Sequence, residues 1–403
     1  MRILYISSSW LHGRSFGGQL RALNIARALK RKGEVTVVVV SADAGDASAR
    51  RQTEEEFPTL QPVCPEFSPN RGVIQKMRWA LDPSYLNLHG CRASPQERAR
   101  IVSHFAEYDI VWVLNSRTAN ILQQWRWPNG HLDIDDVPST YLRGAPARGE
   151  RVGARLKRIA QRFLWKRREL LFERRFSTLS VCSEPDRQYL GGSGRIHVIP
   201  NGFARPSGMP PRAPAVSPPR IGFIGLFSYA PNLEGVKWFL RECWPAIRRQ
   251  VPGIRFRLAG KDTDGPIRPP DPDVDVLGWI EDPSAEIATW SAMVIPIQFG
   301  GGTRIKLADA FSRKCPVVST AVGAFGYEVQ NGVHLRLADA PSEFASACVQ
   351  LAHDQVFGAK MAETAWDEFQ KKWTWDAIAP KVWHAADECL RRSTAQNKAG
   401  IGR

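Results

Sequence analysis

The hydrophobic pattern of the first forty residues predicts a strand, a loop, a helix and a second strand. The apolar run Arg2 to Ser8 ends at a glycine-containing loop, and residues 20–29 then place their apolar side chains on one broad helical stripe. A nearly all-valine run, Glu34 to Ser41, follows. A continuous β-branched run is typical of a strand covered on both faces, as in a parallel sheet.

The alternation continues through the first half of the chain. Between Ala42 and Pro95 the pattern weakens, and only loops and a short helix are predicted there. Further strands are predicted at Asp109 to Leu114, His131 to Asp135, Ser177 to Ser183 and Ile196 to Pro200. Alternating strands and helices favour a doubly wound α/β domain, which we assign to residues 1–205.

A proline-rich stretch, residues 206–219, predicts a stiff linker, after which the same pattern begins again. A helix is predicted at Glu234 to Gln250. Strands are predicted at Arg220 to Gly225, Arg255 to Gly260, Val274 to Leu277, Met293 to Pro296 and Pro316 to Thr320. The sequence thus predicts a second parallel α/β domain at 220–374 and a terminal helical segment at 375–403. Two such domains are expected to face each other across a ligand-binding cleft at the carboxyl ends of their strands.

Composition limits the class of protein. The 403 residues are 43% hydrophobic and 24% charged, which argues against a disordered or membrane-embedded chain. The first residues lack a cleavage pattern and no run is long enough to cross a bilayer, so a cytoplasmic protein is expected. The seven cysteines are scattered without a C-x-x-C pair, and no protein-held metal is expected.

The net charge of +15 favours an anionic partner, and much of it lies in one segment. Arg143 to Arg175 holds twelve Arg or Lys and three Glu among apolar residues at helical spacing. A basic amphipathic helix of this kind can lie on an anionic membrane surface. The alternative is an ordinary helix whose apolar residues face the core and whose basic face is solvated.

The strongest local signal for chemistry is a glycine-rich turn between a predicted strand and a predicted helix. Gly300, Gly301 and Gly302 let the backbone approach a ligand closely, and Thr303 is expected to cap the helix. The helix N-terminus, with Arg304 and Lys306 beside it, suits a diphosphate. Asp309, about one and a half turns on, is placed to accept the hydroxyls of a ribose. The alternative is a packing turn with solvated charges.

Several motifs in order resemble family-four, group-one glycosyltransferases. They are Gly222 to Gly225, Tyr229 to Asn232, Val236 to Phe239, Leu258 to Gly260, Leu277-Gly278, Gly300 to Ala310, Pro316 to Thr320 and Trp373 to Trp375, preceded by Phe16 to Gly18, Ser183-Glu184 and Ile199 to Gly202. The resemblance implies a GT-B fold, a UDP- or GDP-sugar donor, retention of configuration and no required metal or other cofactor. It also implies that the last helix packs on the first domain.

Two departures from the family pattern concern the donor site. By motif position, Asp309 replaces the second glutamate of the family's E-x7-E pattern, and Gly301 falls where the first would be. After Gly225, many members carry an arginine and then a lysine for the diphosphate, where this chain has Leu226 and Asn232. We expect Arg304 and Lys306 to supply the missing positive charges.

The remaining candidates lie at other predicted strand ends. Gly17 and Gly18 resemble the first-domain loop that touches the donor phosphates, with a plain strand-to-helix turn as the alternative. Trp279 is a candidate for contact with the base, with core packing as the alternative. The catalytic residue stays unknown, and the candidates near the expected cleft are Asn115, Arg117, Asp135 and Asp136.

Three hypotheses follow. The first is a retaining transferase that moves a hexose from a nucleotide-diphosphate sugar to a saccharide or a lipid-linked saccharide in surface polysaccharide synthesis, with peripheral contact at the inner membrane face. The second is a non-catalytic nucleotide-sugar-binding partner subunit, motivated by Gly301 and the lost cations. A nucleic-acid binder is suggested by charge alone, and the sequence contains no recognisable reader module.

Overall fold

A computed structural model describes most of the chain. The described residues are 1–13, 17–41, 46–67, 72–74, 77, 81–82, 91–141, 152–204, 212, 217–263 and 271–401. They form two compact units, Met1–Pro200 with Ile378–Arg403, and Asn201–Ala377. Most of the proline-rich stretch 206–219 lies outside the described residues, as do residues 143–151 of the basic segment.

The first unit is built on a six-stranded parallel sheet in the order β2-β1-β5-β6-β7-β8. Its strands are β1 (Arg2–Ser7), β2 (Glu34–Val39), β5 (Ile110–Leu114), β6 (Trp127–Ile134), β7 (Phe176–Val181) and β8 (Ile196–Val198). A separate antiparallel pair joins β3 (Glu66–Phe67) and β4 (Cys91–Arg92). The strand order reverses between β1 and β5, and in an open α/β sheet this switch point is where ligands bind.

Helices cover this sheet. They are α1 (Gly17–Lys30), α2 (Ala47–Glu56), α3 (Pro95–Ser103), α4 (Ser116–Ile121), α5 (Pro138–Tyr141), α6 (Val152–Glu169), α7 (Phe172–Arg175) and α8 (Glu184–Tyr189), with a 3-10 turn at His104–Glu107. The buried core beneath them includes Leu4, Ile6, Val111 and Val113, because the two central strands are apolar on both faces.

The second unit has its own six-stranded parallel sheet in the order β11-β10-β9-β12-β13-β14. Its strands are β9 (Arg220–Leu226), β10 (Arg255–Lys261), β11 (Val274–Gly278), β12 (Ala292–Ile295), β13 (Val317–Ser319) and β14 (Arg336–Leu337). Its helices are α9 (Ala230–Trp238), α10 (Trp244–Gln250), α11 (Ser284–Ala288), α12 (Ile305–Ser312), α13 (Pro341–His353) and α14 (Gln355–Lys372). Here the strand order reverses between β9 and β12.

The last helix, α15 (Trp375–Ile401), belongs to the first unit from Ile378 onward. The indole Nε1 of Trp383 donates to the carbonyl of Ala28 over 2.8 Å, and Lys32 and Asp387 form an ion pair of 2.9 Å. These contacts fasten α15 to α1 and to the turn that follows α1.

The doubly wound α/β class of each domain is confirmed. Differences from the predicted elements are local. β6 begins at Trp127 rather than at residue 131, because Trp127 and Gly130 already pair with the neighbouring strands. The helix predicted at Glu234 to Gln250 begins earlier and contains a π turn at Phe239–Cys243. The short helix predicted in the weakly patterned region after Ala42 agrees with α2 (Ala47–Glu56).

Candidate functional site

The glycine-rich turn of the second unit leaves the carboxyl end of β12 and leads into α12. Gly300 has φ 126° and Gly302 has φ 67°, a left-handed region that favours glycine. The expectation that Thr303 caps the helix is wrong. Because α12 begins at Ile305, the capping position belongs to Arg304, which makes no side-chain cap bond. The Thr303 hydroxyl instead accepts a hydrogen bond from Nδ2 of Asn201 over 2.9 Å.

Arg304 folds back over the glycine turn. Its Nη1 donates to the Gly301 carbonyl over 2.7 Å, and a methyl carbon at Gly300 would stand only 2.5 Å from Nη2. Nε and Nη2 are buried, and no described residue accepts a hydrogen bond from them. Buried donors are normally paired, so two unpaired guanidinium nitrogens mark a place suited to an anionic acceptor.

Lys306 reaches from the first turn of α12 to the carboxyl end of β9. A methyl carbon at Gly225 would stand 2.9 Å from Nδ2 of Asn232 and 3.0 Å from Nζ of Lys306. The Asn232 amide also donates to the Leu226 carbonyl over 2.7 Å. The ammonium therefore lies beside the loop where the family resemblance implies two cations that Leu226 and Asn232 do not supply.

The Lys306 ammonium is poorly solvated. The pKa of this ammonium is lowered to about 7. Burial is the largest cause, the positive charge of Arg304 acts in the same direction, and the negative charge of Asp309 acts in the opposite direction. An anion bound beside Lys306 and Arg304 would relieve their repulsion and favour the protonated ammonium. The two positive charges at this turn are therefore suited to binding a diphosphate.

Asp309 lies on the buried face of α12 and is only 9% exposed. Its Oδ1 accepts a hydrogen bond from Nε of Arg313 over 2.7 Å. Burial raises the pKa of the Asp309 carboxyl, and the Arg313 guanidinium partly offsets this. The carboxylate is thus held in one orientation by a positive neighbour, and its contact with a ribose stays a prediction.

Trp279 follows β11 and is 56% exposed, so core packing does not explain it. The ammonium of Lys261, at the end of β10, lies 4.6 Å from the centre of a Trp279 ring. An exposed aromatic face at the carboxyl edge of the sheet is available for stacking against a planar base. Its contact with the base stays a prediction.

The first unit has a cavity of about 310 Å³ at the carboxyl ends of β1 and β5, where its strand order reverses. The lining residues are Ser8, Ser9, Gly18, Gln19, Leu114, Asn115 and Asp135. Oε1 of Gln19 is buried and accepts no hydrogen bond from the described residues. Asn115 has a positive φ of 57°, a strained conformation often found at functional positions.

Some of the site residues predicted in the first unit line this cavity, and others are exposed outside its lining. Asn115, Asp135 and Gly18 line the cavity, and Gly17 begins α1 beside it. Arg117 and Asp136 are exposed and are not among the lining residues. Residues 14–16, which precede Gly17 in the chain, lie outside the described residues.

Sequence reasoning assigned no role to several polar residues at these two places. Asn201 holds Thr303, Asn232 lies beside Lys306, and Gln19 lines the cavity of the first unit. Asn201 belongs to the Ile199 to Gly202 motif, and Gln19 directly follows Gly17 and Gly18. Their position next to glycine motifs was the available signal.

The family comparison is decisive for the second unit. Residues 218–354 match the family described as glycosyl transferases group 1. The chain carries a group 1 glycosyltransferase domain. The matched span contains Gly225, Asn232, Trp279 and the whole turn from Gly300 to Asp309. The expected family and the expected enzyme class are therefore confirmed for this domain.

One curated relative of the chain is an uncharacterised 44.6 kDa protein in the cps region of Klebsiella pneumoniae, 26% identical over 157 residues. That match covers 36% of this chain and spans about two fifths (40%) of the relative's length.

Solved structures show the GT-B fold over nearly the whole chain. Sucrose-phosphate synthase from Thermosynechococcus elongatus superimposes with a TM-score of 0.67 at 14% identity, covering 97% of this chain and 100% of that one. HepE from Anabaena, in complex with UDP and glucose, gives 0.62 at 15% identity, covering 96% and 99%. At these identities the likeness shows the fold of the chain and nothing more.

Within the described ranges, His, Cys, Asp and Glu side chains form no group of three or more that could hold a metal ion. No helix in the described part of the chain combines the length and apolar character needed to cross a membrane.

Proposed function

We propose that the protein is a retaining glycosyltransferase that moves a hexose from a UDP- or GDP-sugar to a saccharide or lipid-linked saccharide in surface polysaccharide synthesis. The observation that carries the proposal is the pair of cations at the turn of the second unit. Arg304 presents two buried nitrogens without a described acceptor, and the Lys306 ammonium lies against Gly225. This arrangement fits the diphosphate of a nucleotide sugar.

These residues would act mainly on the leaving group. Transfer breaks the bond between the anomeric carbon and the diphosphate oxygen, and negative charge develops on the diphosphate. Fixed cations aimed at that oxygen stabilise the transition state more than the ground state. Arg304 is held in place by the Gly301 carbonyl, so little reorganisation is needed when the charge appears. Asp309 would then hold the ribose and Trp279 the base.

The acceptor is assigned to the cavity of the first unit. Its hydroxyl, amide and carboxylate groups are those that hydrogen-bond sugar hydroxyls, and the unpaired Gln19 oxygen offers an acceptor. Asn115 and Asp135 are the candidates nearest to an attacking hydroxyl. With retention, the leaving phosphate can itself take the proton from that hydroxyl, so no second carboxylate is required. Gly17 and Gly18 are assigned to the donor phosphates.

A lipid-linked acceptor is supported by the surface of α6. Its residues Val152, Leu156, Ile159 and Phe163 recur at helical spacing, and Leu156 and Phe163 are 62% and 70% exposed. The interpretation that these side chains face the core is therefore wrong. Basic residues accompany them on the same helix, including Arg155, Lys157 and Arg162. We assign this face to an anionic membrane surface.

Four more exposed apolar residues of the first unit, Val73, Ile74, Met77 and Leu81, each have helical backbone geometry. Nη1 of Arg167, on α6, donates to the Leu81 carbonyl over 3.0 Å, which connects Leu81 to α6. Such an apolar surface with basic neighbours suits a cytoplasmic enzyme that sits at the inner membrane face. No nucleic-acid partner is proposed.

Polysaccharide synthesis is supported by the relative in the cps region of Klebsiella pneumoniae. The alternative function, a non-catalytic nucleotide-sugar-binding subunit, is favoured by Gly301. This glycine leaves no side chain where the family resemblance implies a glutamate for the donor sugar. Donor binding without turnover is what this alternative predicts.

The test has two steps. Thermal-shift screening against a panel of nucleotide sugars identifies the donor, because a ligand that binds only the folded state raises the melting temperature. The purified protein is then incubated with that donor, with and without anionic vesicles carrying lipid-linked saccharide. Release of nucleoside diphosphate supports the transferase. Binding without any release under both conditions supports the partner-subunit alternative.

A further inference from the structure

Three neighbouring strands of the first unit each begin directly after an arginine. Arg126 precedes β6, Arg175 precedes β7 and Arg195 precedes β8. In a parallel sheet these starts lie at the amino-terminal edge, opposite the edge that carries the 310 Å³ cavity. Neighbouring strands lie about 4.8 Å apart, so the three starts span roughly 10 Å.

These arginines border a cavity of about 380 Å³, and Arg174 is a fourth guanidinium in its lining. Trp127 and Phe176, which form part of its wall, are buried and stack on each other with ring centres 5.4 Å apart. One carboxylate, that of Glu173, lies among the lining residues, and its Oε1 accepts a hydrogen bond from Ser193 over 2.7 Å. Positive charges therefore outnumber negative ones four to one in the lining.

Two of the arginines are fixed by the protein. Arg195 donates from Nη2 to the Phe176 carbonyl over 2.6 Å and from Nε to the Ser177 carbonyl over 3.1 Å. Arg175 donates from Nη1 to Oδ1 of Asn120 over 2.8 Å, and burial lowers its pKa to about 10, which leaves it cationic at neutral pH. They supply fixed positive charge to the cavity.

The other two arginines are available for a ligand. Arg126 and Arg174 are exposed, and no described residue forms a hydrogen bond or an ion pair with either side chain. A pair of unengaged guanidinium groups beside two fixed ones is a strong arrangement for phosphate oxygens, because guanidinium forks bind them with two parallel hydrogen bonds.

We propose that this cavity is a second anion site, which binds phosphate or diphosphate oxygens through Arg126 and Arg174. The site is separate from the donor turn, and its existence does not depend on the proposed transferase function. The same chemistry has two sources, a soluble phosphate ester and the headgroup of an anionic lipid. Leu170 is exposed, directly follows α6 and lies four residues before Arg174, so the cavity region is close in the chain to the helix assigned to a membrane.

The first experiment is a calorimetric titration with inorganic pyrophosphate. Wild type is compared with R126Q/R174Q, with R304A/K306M, and with R51Q/R98Q, which removes two exposed arginines elsewhere in the first unit. We expect R304A/K306M still to bind pyrophosphate, and we expect adding R126Q/R174Q to that variant to weaken the binding about tenfold or more. R51Q/R98Q should bind like wild type. Unchanged affinity when R126Q/R174Q is added to R304A/K306M, or no pyrophosphate binding by R304A/K306M, would overturn the proposal.

The second experiment separates the two sources. Flotation with vesicles containing phosphatidylglycerol is measured at low salt for wild type, R126Q/R174Q and R51Q/R98Q. A loss of vesicle binding that is specific to R126Q/R174Q assigns the site to a lipid headgroup. Equal vesicle binding by all three proteins, together with the loss of pyrophosphate affinity, assigns it to a soluble phosphate ester. Circular dichroism of R126Q/R174Q verifies that the variant is folded.

Discussion

Lys306 and Gly225 are in such close contact that a methyl carbon on the glycine would stand 3.0 Å from Nζ and 3.1 Å from Cε of the lysine. Lys306 lies on α12, which follows β12, and Gly225 lies near the end of β9. The strand order of the second unit reverses between β9 and β12. The contact places a positive charge at the switch point, where ligands bind in open α/β sheets. Its presence explains how a chain with Leu226 and Asn232 in the β9 loop can still offer a cation there.

Substituting Gly225 with alanine should therefore weaken donor binding. The added methyl group would displace the Lys306 ammonium or the Asn232 amide, and we expect a loss of about 1.5 kcal/mol, or roughly tenfold in affinity. The measurement is calorimetric titration with the donor. Gly194→Ala is the matched control, because nothing lies within 4 Å of a methyl group at that position. Equal affinity in Gly225→Ala would show that the contact is irrelevant to binding.

Donor affinity should fall as the pH rises above neutrality. Lys306 has a pKa of about 7 in the free protein, and it is cationic below that value. An anion stabilises the cationic form, so binding raises the pKa and the complex takes up a proton. Affinity should then decline by up to about tenfold per pH unit above 7, until the pKa of the complex is reached. A nucleotide sugar is the right ligand, because its diphosphate does not titrate in this range.

The proton uptake can be measured directly. Titrations at about pH 8 in buffers of different ionisation enthalpy should show a difference in observed heat that corresponds to partial protonation. Lys306→Met should abolish both the uptake and the pH dependence. A pH dependence that survives unchanged in Lys306→Met would assign it to another group.

Asp309 should affect nucleotide recognition more than folding. Asp309→Asn keeps the shape of the side chain but removes its charge, and it leaves Arg313 near Asp282, 3.7 Å away. Hydrogen bonds to a charged group contribute about 1.5 to 3 kcal/mol, so we expect a loss of about tenfold or more in affinity for the nucleoside diphosphate. Affinity for inorganic pyrophosphate, which has no ribose, should fall less, because that ligand senses only the smaller positive charge that Lys306 carries without the Asp309 carboxylate. Equal losses for both ligands would contradict the assignment of Asp309 to the ribose.

The exposed face of α6 should bind anionic membranes. Full burial of a Leu or Phe side chain is worth about 1.5 to 3 kcal/mol. L156S/F163S should therefore lower the partition coefficient of the protein onto anionic vesicles, measured by flotation, by about 100-fold or more. Val356, on α14 of the second unit, is 83% exposed and provides the control Val356→Ser. Wild-type protein that stays unbound at low salt would remove the membrane assignment.

The first unit depends on a buried ion pair. The Arg21 guanidinium donates to both oxygens of Asp133, over 2.6 and 3.0 Å, and its Nη1 donates to the Ile199 carbonyl over 2.9 Å. Arg21→Met would leave the Asp133 carboxylate buried without its cation. We expect a loss of about 3 to 5 kcal/mol in the free energy of unfolding, measured by urea denaturation. A much smaller loss would show that the unit relaxes around the carboxylate.

Much of the fold could be predicted because the local sequence is enough to identify its strands. In the run Glu34 to Ser41, every residue from 35 to 40 is β-branched, and the lengths and order of such runs suffice to predict two parallel α/β domains. The start of β6 could not be predicted, because Trp127 and Pro128 precede a glycine and do not continue the apolar run. Pairing with the neighbouring strands decides that boundary.

The candidate site was predictable in its glycines and charges, and not in its contacts. The sequence indicates Gly300 to Asp309, but the neighbours Gly225 and Asn201 lie far away along the chain and come close only through folding. The capping residue was misplaced for a similar reason, because Asn201 engages Thr303 and the helix begins one residue later. The exposure of Phe163 also depends on what packs against α6, which periodicity alone does not reveal.

Calorimetric titration of nucleoside diphosphate into wild type, Arg304→Ala and Lys306→Met tests whether these two cations bind the diphosphate. Arg249→Ala and Lys360→Met, both at exposed positions of the same unit, are the controls. We expect each site variant to bind about tenfold or more weakly, while the controls bind like wild type. Wild-type affinity in both site variants would contradict this expectation.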